Sequence, residues 1–241
     1  MSDIVIEKRT GADEETTRDP LRVREMFDRI SARYDLANHL LSCGADVLWR
    51  ARAARIVARW QPSAVLDVAT GTGDLALAIQ NRLPAVKIIG TDFSPEMLGL
   101  ARAKGLHETQ VADALELPFA SGLFDVVTVA FGLRNMWDWA AALREMRRVL
   151  TDKGHLLILD FSQPRRFLRP VYRTYLHRLL PAAAALVTGE AAAYAYLGES
   201  IEAFPSGTAM LALLGENGFA AATAQPLTGG IATIYTAAAR H

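Results

Sequence analysis

Three aspartates and a pair of glycines stand at spacings that suit a small charged nucleoside. Gly71 and Gly73 lie in Val65-Leu-Asp-Val-Ala-Thr-Gly-Thr-Gly-Asp74, between an apolar run and a helical pattern. Glycine takes up positive φ and lets the backbone approach a ligand closely. Such a loop serves several nucleoside cofactors. The dinucleotide fingerprint asks for G-x-G-x-x-G, and Ala76 stands at its third position, which only the looser form admits. The acid inside the strand end, Asp67, separates the alternatives better. It would repel a pyrophosphate and suits a ligand carrying a positive sulfonium and an ammonium group. Asp92, ending the next apolar run, can accept hydrogen bonds from both hydroxyls of a ribose. Asp113 follows a third run, where a carboxylate reaches an adenine amino group and the amide of Ala114 a ring nitrogen. Taken singly, each acid can equally be a helix cap or a loop residue. The series strand–glycine loop, strand–Asp, strand–Asp is far more specific.

The elements that must position these residues alternate. Residues 64–69, 86–91, 124–130 and 155–160 are short apolar runs of the kind that buried parallel strands give. A further strand precedes Asp113. Helical patterns cover residues 74–82, a helix capped by Ser94 with Pro95 at its first position, and residues 137–150. Strand–helix alternation predicts βαβ units and a parallel sheet. Ligands bind along the carboxyl edge of such sheets. Upstream, Val23, Phe27, Ile30 and Tyr34 recur at helical spacing, and a second helix runs to Gln61-Pro62. Residues 164–204 break the rhythm with an alanine- and leucine-rich stretch, read as a helical insertion after the fifth strand. A helix over residues 207–216 and two strands, turning at Gly229-Gly230, close the chain. The expectation is an α/β fold with a mostly parallel seven-stranded sheet and an antiparallel last strand. Residues 1–20 read as a flexible arm, and 21–241 as a single domain with N-terminal helices over 21–60.

Bulk properties exclude several classes. In 241 residues there are 26 basic and 26 acidic side chains, so no long-range field steers the chain to nucleic acid. The hydrophobic fraction of 51% excludes disorder as the main state. A single cysteine, Cys43, forbids an intramolecular disulfide. The scattered histidines show no metal-ligand spacing, so no metal is expected. No apolar run reaches the ~20 residues of a bilayer span, and residues 1–10 lack a signal core. A cytoplasmic protein is expected.

With these residues on the page, the chain resembles the menaquinone/ubiquinone C-methyltransferases over nearly its whole length. Ala32-Arg-Tyr-Asp-Leu36, Asn38 and Leu48-Trp49-Arg50 look like the family's first signature, and residues 66–75 its cofactor loop. Phe131-Gly-Leu-Arg-Asn135 is the most diagnostic segment. Tyr196-Leu-Gly-Glu-Ser-Ile201, Phe204-Pro205 and Leu227-Thr-Gly-Gly-Ile231 match its C-terminal part. Gly198 departs from the alanine the family often has, and the connection over 105–110 is shorter than usual.

The resemblance implies a class I, Rossmann-like methyltransferase using S-adenosylmethionine. Thr72, Asp92, Asp113 and Ala114 then fall on cofactor-contacting positions, with Gly71 and Gly73 shaping the loop. It also implies methylation at a ring carbon of a prenylated quinol, demethylmenaquinol first and the benzoquinol second. Arg134 is the leading candidate to stabilise a quinol oxyanion, its competing role being an ion pair that orders the loop. Asn135 can orient a quinol oxygen or cap the following helix. Tyr34, with Asp35, can cover the cofactor or contact the quinol. The insertion carries Phe167, Leu168, Val171, Tyr172, Tyr175 and Leu176 flanked by Arg165, Arg166, Arg169, Arg173 and Arg178. That pattern suits either a lid or peripheral contact with the inner face of an anionic membrane. A homodimer is compatible with all of this. Rivals are O- or N-methylation of another small apolar acceptor, a non-catalytic cofactor-binding scaffold, and a nicotinamide oxidoreductase. The last lacks a complete fingerprint.

Overall fold

The computed structural model describes residues 42, 44–164, 169–175 and 198–240. The chain forms α1 (Ala45–Trp60), β1 (Ala64–Val68), α2 (Asp74–Gln80), β2 (Lys87–Asp92), α3 (Pro95–Ala103), β3 (Thr109–Val111) and β4 (Phe124–Ala130). There follow a 3-10 turn (Leu133–Asn135), α4 (Trp139–Val149), β5 (Leu150–Phe161), α5 (Arg169–Thr174), α6 (Thr208–Glu216), β6 (Phe219–Leu227), a second 3-10 turn (Thr228–Gly230) and β7 (Ala232–Ala239). The strands make one sheet in the order β3-β2-β1-β4-β5-β7-β6. Neighbours from β3 to β5 pair in parallel, and β7 runs antiparallel to both β5 and β6. The mostly parallel sheet with a reversed last strand is what the alternation predicted.

Alternation along the central strands builds two cores. Val65 of β1, Val126 of β4, and Leu157 and Leu159 of β5 pack with Trp49, Ala53 and Val57 of α1 and Leu75 and Ile79 of α2. Their neighbours Leu66, Val68, Val127, Val129, Leu156 and Ile158 pack the opposite way, against Leu143, Met146 and Val149 of α4 and Met210 and Leu214 of α6. Each fully buried side chain of this size contributes roughly 1.5–3 kcal/mol. Both faces are therefore covered, which is why β1 and β4 read as continuous apolar runs rather than alternating ones.

The caps agree with the sequence in one place and refine it in another. The Ser94 hydroxyl accepts the Met97 N–H at 3.2 Å, with Pro95 at the first helical position of α3. For α4 the cap is Asp138, whose carboxylate accepts the Ala141 N–H at 2.8 Å. Asn135 stays in the preceding turn, so its capping alternative is set aside. β5 starts at Leu150, upstream of the apolar run that announced it, because Leu150 already pairs with Phe124 before the polar Asp152-Lys-Gly154. Tyr34, Asp35, Cys43, the arm over 1–20 and much of the insertion lie outside the described residues.

Candidate active site

Every cofactor candidate sits at the carboxyl edge of β1, β2 or β3, as the topology requires. The loop after β1 carries Ala69 and Gly71 at φ 50° and 56° and Gly73 at φ 84°. Gly73 is fixed twice over: its φ disfavours a side chain, and a Cβ there would lie 3.2 Å from both Ala101 Cβ and Leu106 Cδ2. The loop is tied down by backbone and carboxylate. The Thr70 N–H donates to the Thr91 carbonyl at 2.8 Å, and the Gly71 N–H to Asp92 Oδ2 at 2.9 Å. Asp92 Oδ1 takes the Ser94 N–H at 3.0 Å. Asp92 thus holds the loop to the start of α3 while its carboxylate lies at the end of β2.

Asp67 is buried beneath that loop. It faces Thr128, its register partner on β4, and accepts the Thr128 hydroxyl at 2.5 Å and the Thr70 hydroxyl at 2.6 Å. Burial pushes its carboxyl up to about 6, against those two hydrogen bonds, and the nearby Asp92 adds to the rise. Its described hydrogen bonds serve the loop from below, where the sequence had placed it as a direct neighbour of the cofactor. Asp113 is exposed after β3, and its Oδ1 accepts the Leu115 N–H at 2.9 Å. Ala114 is half-buried beside it. The next residues are clamped from α4: Arg148 donates to the Phe119 carbonyl at 2.7 Å and the Leu117 carbonyl at 2.9 Å, and Glu145 accepts the Leu117 N–H at 3.0 Å.

On the other side of the loop runs a chain of charges. The Ser42 hydroxyl donates to Asp46 at 2.6 Å, Asp46 pairs with Arg50, and Arg50 lies 3.5 Å from Asp74. Lys104 then bridges Asp74 at 2.7 Å and the Thr72 hydroxyl at 2.9 Å. Thr72 is thereby oriented from α3, and α1 is joined to the loop.

The loop after β4 presses directly on the loop after β1. A Cβ on Gly132 would fall 2.6 Å from Ala69 Cβ, so only glycine lets the two chains meet. Phe131 adopts φ 58°, rare for an aromatic residue. That turn directs its carbonyl at the Arg134 Nη1 and, at 3.3 Å, the Asn135 Nδ2. Arg134 is only 3% exposed. Its Nη1 donates to Asp160 Oδ1 at 3.0 Å, its backbone N–H to Asp160 Oδ2 at 3.3 Å, and its guanidinium lies 5.3 Å from the Phe161 ring centre. The ion pair the sequence left as Arg134's competing role is therefore formed. Its Nε is buried without a hydrogen-bond partner among the described residues. Around it the rings of Trp49, Phe131 and Phe161 lie within 6.3 Å of one another, centre to centre. Tyr172 and Tyr175 of the insertion pack onto the same cluster, and burial raises the Tyr172 hydroxyl above its usual range.

Thr128, Asp160, Lys104 and the Glu145–Arg148 clamp escaped the sequence reading. Two left a usable signal: Thr128 is a hydroxyl inside an apolar strand, and Asp160 ends a buried strand as Asp92 does.

Comparison with known proteins gives the family. The ubiE/COQ5 methyltransferase family matches residues 13–239. The chain belongs to that family. A demethylmenaquinone methyltransferase of Thermus thermophilus is 46% identical over 216 residues, covering 87% of this chain and 98% of the relative. One from Deinococcus radiodurans is 45% identical, covering 88% and 90%. The ubiquinone/menaquinone biosynthesis C-methyltransferase of Geotalea uraniireducens is 43% identical, covering 89% and 94%. Among solved structures, a SAM-dependent methyltransferase of Thermotoga maritima, described as a possible histamine N-methyltransferase, superposes with a TM-score of 0.65 at 18% identity. It covers 90% of this chain and 99% of that one, and so supports the fold.

Proposed function

We propose that this chain transfers the methyl group of S-adenosylmethionine to a ring carbon of a prenylated quinol, demethylmenaquinol before the related benzoquinol. The donor set fits that cofactor. Carboxylates at the ends of β1 and β2 and just beyond β3 suit a cationic adenosyl nucleoside, and a pyrophosphate would meet them unfavourably. Gly71, Thr72 and Gly73 would hold its amino-acid portion, Asp92 the ribose, Asp113 and Ala114 the adenine. When bound, it supplies an electrophilic methyl on sulfonium and leaves as a neutral thioether.

The protein's task is then to present a nucleophilic carbon. A quinone ring is electron-poor, whereas a quinol that has lost a hydroxyl proton carries electron density on the adjacent ring carbon. Arg134 would stabilise that oxyanion, Asn135 would orient the ring, and the aromatic cluster would exclude water and stack on it. After methyl transfer the ring proton passes to a general base, a role that a carboxylate or a water held by one can fill. The observation that carries this reading is the contact of the two loops at Gly132 and Ala69, which would set an acceptor against the donor.

Among the described residues no helix is long and apolar enough to cross a membrane. Exposed Arg169 and Arg173 on α5 support peripheral contact with an anionic lipid surface, through which a prenyl tail would reach the site. Flotation with anionic against neutral vesicles tests that part. The activity is tested with labelled cofactor and short-chain acceptors. Transfer is expected to the reduced quinols and none to the oxidised quinones. Cofactor binding with no transfer to either quinol would refute the assignment.

A further inference from the structure

The Arg134–Asp160 pair is poorly explained as a cross-link alone. Among the described residues the side-chain hydrogen bonds of the guanidinium all run through Nη1, to Asp160 and to the Phe131 carbonyl, while Nε stays buried and unpartnered. A purely structural guanidinium would be turned to satisfy its inner donor, because unpaired buried polar groups are disfavoured. A buried ion pair is also weak evidence of stabilisation, since apolar groups of similar volume often serve as well. Asp160 is fully buried and commits both oxygens to this arrangement: Oδ1 to Nη1 and the Phe161 N–H at 2.9 Å, Oδ2 to the Arg134 N–H. It fixes side chain and backbone of Arg134 from the end of the neighbouring strand.

We propose that Asp160 is a positioning residue for the transfer: it holds the Arg134 guanidinium with its remaining donors turned to the oxygen of the bound quinol. The proposal rests on the quinol reading above. The groups facing the pair are Tyr172 from α5, the Phe131 carbonyl, the Phe161 ring, and Tyr235 of β7 on the Asp160 side. Arg50 lies over the Phe131 ring, 5.4 Å from its centre. With the tyrosines neutral, the anion of a phenol would be favoured chiefly by Arg134.

Two measurements on the full chain test this. In the first, 4-nitrophenol is titrated against the protein and its ionisation read by absorbance. The wild type should favour the bound anion, and D160N and R134M should each lose most of that preference. A wild type without it, or a D160N that keeps it, overturns the proposal. In the second, methyl transfer to reduced short-chain demethylmenaquinol is followed. D160N should lower kcat by roughly tenfold or more with cofactor affinity within about twofold, and D160E should recover part of the loss. The double variant D160N/R134M should equal R134M, whereas losses that multiply would show Asp160 acting independently. Should D160N alone fail to fold, the double variant removes both charges and the same comparison decides. Absence of transfer by the wild type refutes the quinol reading itself and leaves the nitrophenol titration to judge Asp160.

Discussion

Single atoms decide how closely the loops after β1 and β4 approach. In Gly132→Ala the new methyl would lie 2.6 Å from Ala69 Cβ, with backbone behind both, so the loops must separate. Overpacking of this kind costs about 1–3 kcal/mol. The expected result is a destabilisation of that size by denaturant unfolding, and a kcat reduced more than the cofactor affinity. An unchanged kcat would mean the loop contact does not set the transfer geometry. Asp67 supplies a second residue-scale test. Its carboxyl titrates near 6 in the fold against 3.8 when unfolded, because burial disfavours the charge. Between those values the folded protein binds more protons than the unfolded chain, so stability falls as pH rises. Asp67→Asn keeps the shape and removes the titration. The wild type should therefore lose stability relative to that variant, by about 2–3 kcal/mol, between pH 4 and pH 7. Denaturant midpoints of both proteins at four pH values measure this, and parallel curves would disprove it.

At the scale of elements, α4 reaches back across the sheet edge to clamp residues 117–119 through Glu145 and Arg148. Arg148→Ala removes two charge-assisted bonds to carbonyls next to the Asp113–Ala114 segment. Cofactor affinity by calorimetry should fall roughly tenfold, about 1.4 kcal/mol, with kcat at saturation little changed. Equal falls in both would place the clamp at the acceptor side instead. Such a clamp was hidden in the sequence, since Arg148 and Leu117 are far apart in the chain and come together only through packing. Elements whose signal is local were legible. β4 ran from Phe124 to Ala130 as its apolar residues suggested, and Ser94 capped α3 because the capping pattern lies within one turn. β5 was read short because residues 152–154 look like a loop, although backbone pairing with β4 begins before them. Likewise Asp67, Asp92 and Asp113 were found as strand-end acids. That Asp67 would turn to Thr128 depended on the β1–β4 register, which no single segment contains.

For the whole molecule, the loops after β1 and β4 and the start of α3 are joined through Asp92, Ala69 and Gly132, while Lys104 and Arg50 link α1 and α3 to the same place. A ligand seated there would touch segments from several elements joined by these contacts, so its binding free energy should appear as global stability rather than as a local change. At a free cofactor concentration a hundredfold above its Kd, the gain is about 2.7 kcal/mol. For a domain of this size each kcal/mol raises Tm by roughly 2–4 °C. S-adenosylmethionine should therefore raise Tm by about 5–10 °C in a single sharpened transition, with denaturant unfolding giving the same free-energy gain. NAD offered at the same concentration should give no rise, because its pyrophosphate would have to approach the loop that has Asp67 buried beneath it and Asp92 beside it. A comparable rise with NAD would show that the acids do not select the cofactor. A rise confined to one of two separate transitions would show that the site does not couple the elements as their contacts suggest.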